Sequence, residues 1–209
     1  MGNILPIWDD PLWLVEQLSI IDMISRGRLV TGFVRGNGRE SVSHNAPPAH
    51  NWERYQEAHD FLIKAWTTPG PFRWEGKHYQ YRYVNPWALP YQKPHPPIGV
   101  AAASPSSQTL KIAGERGYIP MSLGLGPAYI ASHWESVLEG AERVGKVAPS
   151  RKEWRMVRDV WVAETDEEAF KAAMRALEQK PFNFDQQLQN GGIMTKAKFA
   201  PSRMITKSN

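Results

Sequence analysis

"RLVTGFVRGNGRE" (residues 28–40) is the stretch on which the fold turns. Leu29 to Val34 is short, rich in β-formers and bounded by glycine, the pattern of a buried strand. It runs without a spacer into a polar loop that carries Arg35, Gly36, Gly38 and Arg39. Upstream, "DDPLWLVEQLSIIDMISRG" (residues 9–27) predicts a helix with Asp10 as N-cap, Pro11 at the first helical position and Gly27 just past the end. Leu14, Val15, Leu18 and Ile21 recur at helical spacing and give that helix one apolar stripe. Before it, Gly2 to Leu5 reads as the end of another strand.

The same rhythm extends downstream with one insertion. "NWERYQEAHDFLIKAWTT" (51–68) predicts a helix capped by Asn51, with Tyr55, Ala58, Leu62 and Ala65 on one face. In "FRWEGKHYQYRYV" (72–84) aromatic residues alternate on either side of Glu75-Gly76, a strand-turn-strand signature. "NPWALPYQKPHPP" (85–97) is an extended loop, because its prolines lack ladder donors and have fixed φ. From Ile98 the order is strand "IGVAAA", helix "SPSSQTLKIAGERG", strand "YIPMSLG", helix "PAYIASHWESVLEGAERVG", strand "WRMVRDVWVAE" and helix "TDEEAFKAAMRALEQK". The last helix opens with a capping box formed by Thr165 and Glu168. Strands alternating with helices over short links imply an α/β fold with a parallel sheet, closed as a barrel or left open. A closed β/α barrel takes eight strands and about 250 residues, more than this pattern supplies.

Composition narrows the function classes. The 209 residues are 42% hydrophobic, enough for a real core. No window has the apolar length of a membrane-spanning helix and no secretory signal opens the chain, which makes a cytoplasmic setting the default and gives no role for a membrane. The net charge of +4 arises from 25 basic and 21 acidic residues that interleave, so nucleic acid is not an expected partner; only "TKAKFAPSRMITKSN" (195–209) is basic without acid. There is no cysteine, and His44, His50, His59, His78, His95 and His133 lack paired metal-ligand spacing, so no metal site is expected and the histidines read as surface or pocket residues. Neither a nucleophile elbow nor a P-loop is present.

Two places carry candidate chemistry. Arg35 and Gly36 fall at the C-terminal end of a strand, where such folds place their active sites; the alternative is a rim ion pair with an acid such as Glu40. "AAASPSSQT" (101–109) places Ser104, Ser106 and Ser107 where a strand turns into a helix, so that hydroxyls and free amides converge at a positive dipole end. Ordinary N-capping by serine is the alternative there. Together the two would hold a phosphate dianion by charge and by amides.

The stretches "GNILPIWDDPLWLVEQLSIIDMISRGRLVTGFVRG", "NWERYQEAHDFLIKAW", "EGKHYQYRYVNPWALPYQKPHPPIGVAAAS" and "HWESVLEGAERVG" resemble the bacterial luciferase-like, flavin-dependent monooxygenases. The resemblance implies a (β/α)8 TIM-barrel family fold, here an incomplete barrel lacking the N-terminal strands and the last strand. Residues 1–180 would be a partial luciferase-like barrel domain and 181–209 a divergent, irregular tail. It implies reduced FMN, or in some branches the deazaflavin F420, bound at the strand C-termini. Arg35 matches the family arginine on the flavin phosphate. Ala103, Ser104 and Ser107 match the turn that binds this phosphate, and Gly2 and Asn3 match the strand end beside the isoalloxazine ring. The implied activity is oxidation of a small apolar organic substrate by O2, with reduced flavin delivered by a separate flavin reductase; a homodimer is left open. Trp52, Trp87 and His44 fall in segments that could line the substrate pocket. The resemblance assigns no catalytic residue, since Met23 stands where some members have histidine, Ala103 stands where luciferases have an acid, and the strand that supplies a catalytic histidine in several members has no counterpart. The competing expectation is a non-catalytic partial barrel or interaction subunit, and the chain alone is not expected to turn over a substrate.

Overall fold

The computed structural model describes residues 2–36, 38–123, 127–157 and 160–178. The proposed tail, 181–209, lies outside the described residues. In chain order the elements are β1 (Gly2–Ile4), α1 (Pro11–Ile24), β2 (Thr31–Val34), α2 (Gly38–Ser43), α3 (Asn51–Thr67), β3 (Phe72–Glu75), β4 (Gln80–Val84), β5 (Ile98–Ala102), α4 (Gln108–Arg116), β6 (Ile119–Ser122), α5 (Pro127–Arg143), β7 (Arg155–Met156) and α6 (Asp166–Glu178). Five strands form one sheet in the order β1-β2-β5-β6-β7, every pair parallel, and β3-β4 is a separate antiparallel hairpin. The sheet is that of a β/α wall; its closure into a barrel is not seen among the described residues.

Strand parity shows which side the helices cover. Asn3 pairs with Phe33, Phe33 with Val100, and Val100 with Pro120, so these side chains share one face, and Ser122, two residues on, shares it too. Phe33 packs there against His59 and Trp66 of α3, and Ser122 meets His133 of α5. Both helices therefore lie on the same side of the sheet, the layering of a barrel wall rather than of a doubly wound sheet, which has helices on both faces. The opposite face carries Gly2, Gly32 and Gly99 in one register row, and Ile4, Val34, Ala101 and Met121 above it.

Local sequence explains most element ends. The Asp10 carboxylate accepts the Leu12 amide at 3.1 Å, with Pro11 beginning α1 as expected. After α1, Gly27 adopts φ +77° and returns its amide to Asp22 O. The helix buries Leu14, Val15 and Leu18 but leaves Trp13, Ile20 and Ile24 exposed, so its apolar residues exceed one stripe. Trp66 ties α3 to α1 by donating Nε1–H to Ser19 Oγ at 3.1 Å.

Four boundaries differ from the sequence reading. β2 starts at Thr31 rather than Leu29, whose carbonyl accepts the Gln92 side chain instead of a ladder amide. Asn51 is the first residue of α3 rather than its cap, because its side-chain amide turns to Ser41 Oγ at 2.6 Å. α4 begins at Gln108, not Ser104, since Pro105 and the left-handed Ser106 (φ +48°) keep the preceding residues out of the helix. The strand read over 154–164 is only Arg155–Met156 among the described residues.

α4 and α5 approach each other over two glycines. A Cβ on Gly114 would meet the Val137 carbonyl oxygen and lie 2.6 Å from the Ala141 amide, and one on Gly140 would meet the Lys111 carbonyl. These neighbours are backbone and cannot swing aside, so even alanine would force the helices apart. Gly114→Ala is expected to destabilise the chain by about 3 kcal/mol and lower its melting temperature by roughly 6–12 °C. Gly38→Ala, which would meet nothing within 4 Å, is the control and shifts the midpoint little. Equal melting temperatures for both variants in a thermal scan would refute this account of the helix pair.

Candidate functional site

The C-terminal ends of β2 and β5 lie side by side, because these strands are adjacent and parallel, with Phe33 opposite Val100. Arg35 follows β2 directly. It is exposed, makes no ion pair among the described residues, and holds its guanidinium 5.9 Å from the ring centroid of Trp52 at the start of α3. The contact is a cation–π pair that holds the charge beside the start of α3. Gly36 turns the chain away at φ +76°, and a Cβ there would lie 2.5 Å from Ile4 Cγ2, so the position requires glycine twice over.

After β5, Ala103, Ser104, Pro105 and Ser106 form an exposed turn and Ser107 caps α4. The amides of Leu110 and Lys111 close the first helical turn on Ser107 O, leaving those of Gln108 and Thr109 without a backbone partner among the described residues, as at any helix start. The Ser107 hydroxyl is otherwise engaged. Thr109 Oγ1 donates its hydrogen to Ala101 O at 3.0 Å, so in the 2.7 Å contact between the two hydroxyls it is Ser107 that donates. Ser107 thus presents its hydroxyl proton inward, and Ser104 and Ser106 are the exposed serines of the turn.

The turn is held from α5. His133, fully buried, bonds Ser104 O through Nε2 at 2.8 Å and Ser122 Oγ through Nδ1 at 2.8 Å, while Trp154 Nε1 donates to the same Ser122 Oγ at 2.9 Å. A carbonyl only accepts and an indole N–H only donates, so every hydrogen is assigned: Nε2–H points to Ser104, and the Ser122 hydroxyl donates to Nδ1 of a neutral imidazole. Burial holds the His133 pKa below the usual histidine value, against the pull of the Ser104 carbonyl. The Ser106 amide donates to Ser132 Oγ at 3.3 Å.

The other expected positions separate. Gly2 is exposed, with nothing within 4 Å of where a Cβ would stand, and lies on the sheet face opposite α3 and α5. Asn3 is turned to the helix-covered face, where its side-chain amide donates both hydrogens, to Thr31 Oγ1 (3.0 Å) and Gly32 O (3.1 Å). Arg35 and the 103–107 turn are thus together at one edge, and the Asn3 side chain is a clamp between β1 and β2. Trp87 and His44 are exposed, Trp52 half-buried. His59 and His133 are buried in the helix layer rather than at the surface. Among the described residues no cluster of His, Cys, Asp and Glu could hold a metal ion, and no helix is long and apolar enough to cross a membrane. Ser132, His133, Ser122 and Trp154 had no individual sequence signal: Ser122, the Ser132–His133 pair and Trp154 lie on separate segments, and only tertiary packing joins them to the turn.

A family model described as luciferase-like monooxygenase matches residues 2–203. The chain is 27% identical over 192 residues to 2,5-diketocamphane 1,2-monooxygenase 1 of Pseudomonas putida, covering 83% of this chain and 51% of that protein. It is 27% identical over 174 residues to the oxygenase component of the flavin-dependent trigonelline monooxygenase of Acinetobacter baylyi, covering 80% and 46%. Among solved structures, the oxygenating constituent of 3,6-diketocamphane monooxygenase from Pseudomonas putida, a type II Baeyer-Villiger monooxygenase in complex with FMN, superposes with a TM-score of 0.72 at 25% identity, over 90% of this chain and 54% of that one. The chain spans about half the length of the curated relatives it matches.

Behind the site, the buried His59 has a directly testable charge state. Burial first, and the Arg116 charge second, push its pKa down to about 3. Above the unfolded value of about 6.5 both states are neutral and the group contributes nothing to pH dependence; below it the unfolded chain takes up the proton that the folded chain refuses. Stability should therefore fall as pH drops from about 6.5 toward 3, with His59 accounting for about 2 kcal/mol between pH 7 and pH 5. Denaturant midpoints at the two pH values should show a smaller decline for His59→Phe, which keeps the ring packing; an identical decline would mean His59 titrates normally.

Proposed function

Because the chain belongs to the luciferase-like monooxygenase family, we propose that it carries the flavin-phosphate site of a flavin-dependent monooxygenase that uses reduced FMN and O2 on an apolar organic substrate, with the reduced flavin supplied by a separate reductase. The observation that carries this reading is the pairing, on neighbouring strand ends, of an exposed arginine that has no ion-pair partner among the described residues with a helix start whose first amides are open. That donor set fits a phosphate dianion: Arg35 offers charge and a planar fork, and the Gln108 and Thr109 amides offer dipoles that need no reorganisation. The bound flavin would supply the redox chemistry and the activation of O2. The chain's part is to hold it. Arg35 and the α4 start grip the phosphate, Ser104 adds a hydroxyl, and the sheet face opposite the helices, which bears Gly2 and the Ile4, Val34, Ala101 and Met121 side chains nearer the strand ends, would take the flat ring. Ser107 contributes through its backbone and its capping position rather than through its hydroxyl.

Fluorescence titration with FMN is the test. Arg35→Ala should weaken FMN binding by about 1.5–3 kcal/mol, the range for a charged hydrogen bond. Ser104→Ala should weaken it by less, and Ser107→Ala by less again, since the amides remain in place. Unchanged FMN affinity in Arg35→Ala would remove the arginine from the site. Parallel titration with F420 and riboflavin, and oxygen uptake with reduced FMN, separate the FMN reading from the deazaflavin one and from a chain that binds no flavin.

A further inference from the structure

The 103–107 turn faces a problem that its own residues do not solve. An anion site made of backbone amides fails if a carbonyl of the same turn points into it, because the oxygen's partial negative charge opposes the ligand. Ser104 O is the carbonyl at risk, since the following residue is Pro105, which has no N–H to offset it. Ser106 adds a second problem: it sits at φ +48°, a region that non-glycine residues adopt only when held.

Both are answered by consecutive residues of α5. His133 Nε2–H takes Ser104 O at 2.8 Å, and Ser132 Oγ takes the Ser106 amide at 3.3 Å while donating to Tyr129 O at 2.7 Å. The imidazole is itself fixed from behind by Ser122 of β6, which Trp154 fixes in turn. The chain Trp154–Ser122–His133–Ser104 thus links segments that are distant in sequence, with one donor and one acceptor at each contact. The His133 ring is fully buried, so this arrangement is built into the fold and not a surface contact.

We infer that His133, assisted by Ser132, is a positioning residue that draws the Ser104 carbonyl away from the anion and so gives the β5–α4 turn its selectivity for a phosphorylated ligand. The inference rests on the phosphate reading of that turn. His133 touches no ligand; it acts through Ser104. The side chain required is one that delivers an N–H at the Nε2 position, which glutamine can do and alanine cannot.

The readout is the ratio of riboflavin to FMN dissociation constants, measured on the full 209-residue chain. The two ligands differ only in the phosphate, so a loss of general packing moves both affinities and leaves the ratio alone. His133→Ala should weaken FMN about tenfold or more while leaving riboflavin nearly unchanged, and His133→Gln should restore most of the ratio. Where His133→Ala does not fold, Ser132→Ala, at a half-buried position, gives the same readout and should lower the ratio more modestly. A ratio in His133→Ala or Ser132→Ala equal to that of the unaltered chain overturns the inference, as does parallel loss of both ligands. An unaltered chain that binds FMN no more tightly than riboflavin overturns the phosphate reading itself, so the two failures are told apart.

Discussion

The close approach of α4 to α5 over Gly114 and Gly140 is the contact on which the rest of the candidate site depends. It places α5 near enough to the β5–α4 turn for His133 to reach a carbonyl 29 positions earlier and Ser122 across to β6. Glycine at both contacts is what permits this, since each neighbour is backbone and any side chain would separate the helices by more than a hydrogen bond tolerates. The polar chain through His133 is in turn tolerated only because it is complete. A buried imidazole with one nitrogen unpaired would lose about 1–3 kcal/mol; here each nitrogen has a partner, and Ser122 uses both its hydrogen and a lone pair.

The parallel sheet separates the helix-packed side chains from those of the opposite face by parity alone. Side chains in register with Phe33 enter the helix layer, where Phe33, Tyr55, His59, Trp66 and Tyr118 form a contiguous aromatic core. Those one residue out of step face the other way: Gly2, Gly32 and Gly99 lie in one row, and Ile4, Val34, Ala101 and Met121 in the next. Asn3 stands in the packing register, which is why its amide joins strands while its neighbour Gly2 opens onto the face opposite the helices.

The order of elements was legible because it is written in local signals. Asp10-Pro11, the Gly27 stop, the alternating aromatics of the hairpin and the glycine-bounded strands each name an element without reference to the rest of the chain. Arg35 and the serine turn were legible for the same reason: a strand end is a position in the sequence as well as in space. What the sequence did not disclose is where a side chain goes when two partners compete for it. Asn51 chose Ser41 over its own helix, Ser107 chose Thr109 over the solvent, and His133, one of six histidines without a distinguishing pattern, was selected by tertiary packing. Hydrogen-bond capacity can be read from a residue's type, but its allocation depends on contacts tens of residues away.

That allocation bears on how charge and dipole divide the work at the strand ends. Arg35 is exposed and screened by water, so its attraction for a dianion is moderated by salt and by the mobility of a long side chain, even with Trp52 beneath it. The amides of Gln108 and Thr109 are weaker individually but fixed by the helix they open, while the buried chain holds the turn before them at Ser104 and Ser132 holds it at Ser106. In the proposed phosphate site, attraction for anions in general would come from the arginine and preference for a particular phosphate position from the turn. The cationic member can therefore lie on the rim, where it needs no compensating acid, while the histidine that shapes the turn stays neutral and buried, adding no charge to a layer that could not solvate it.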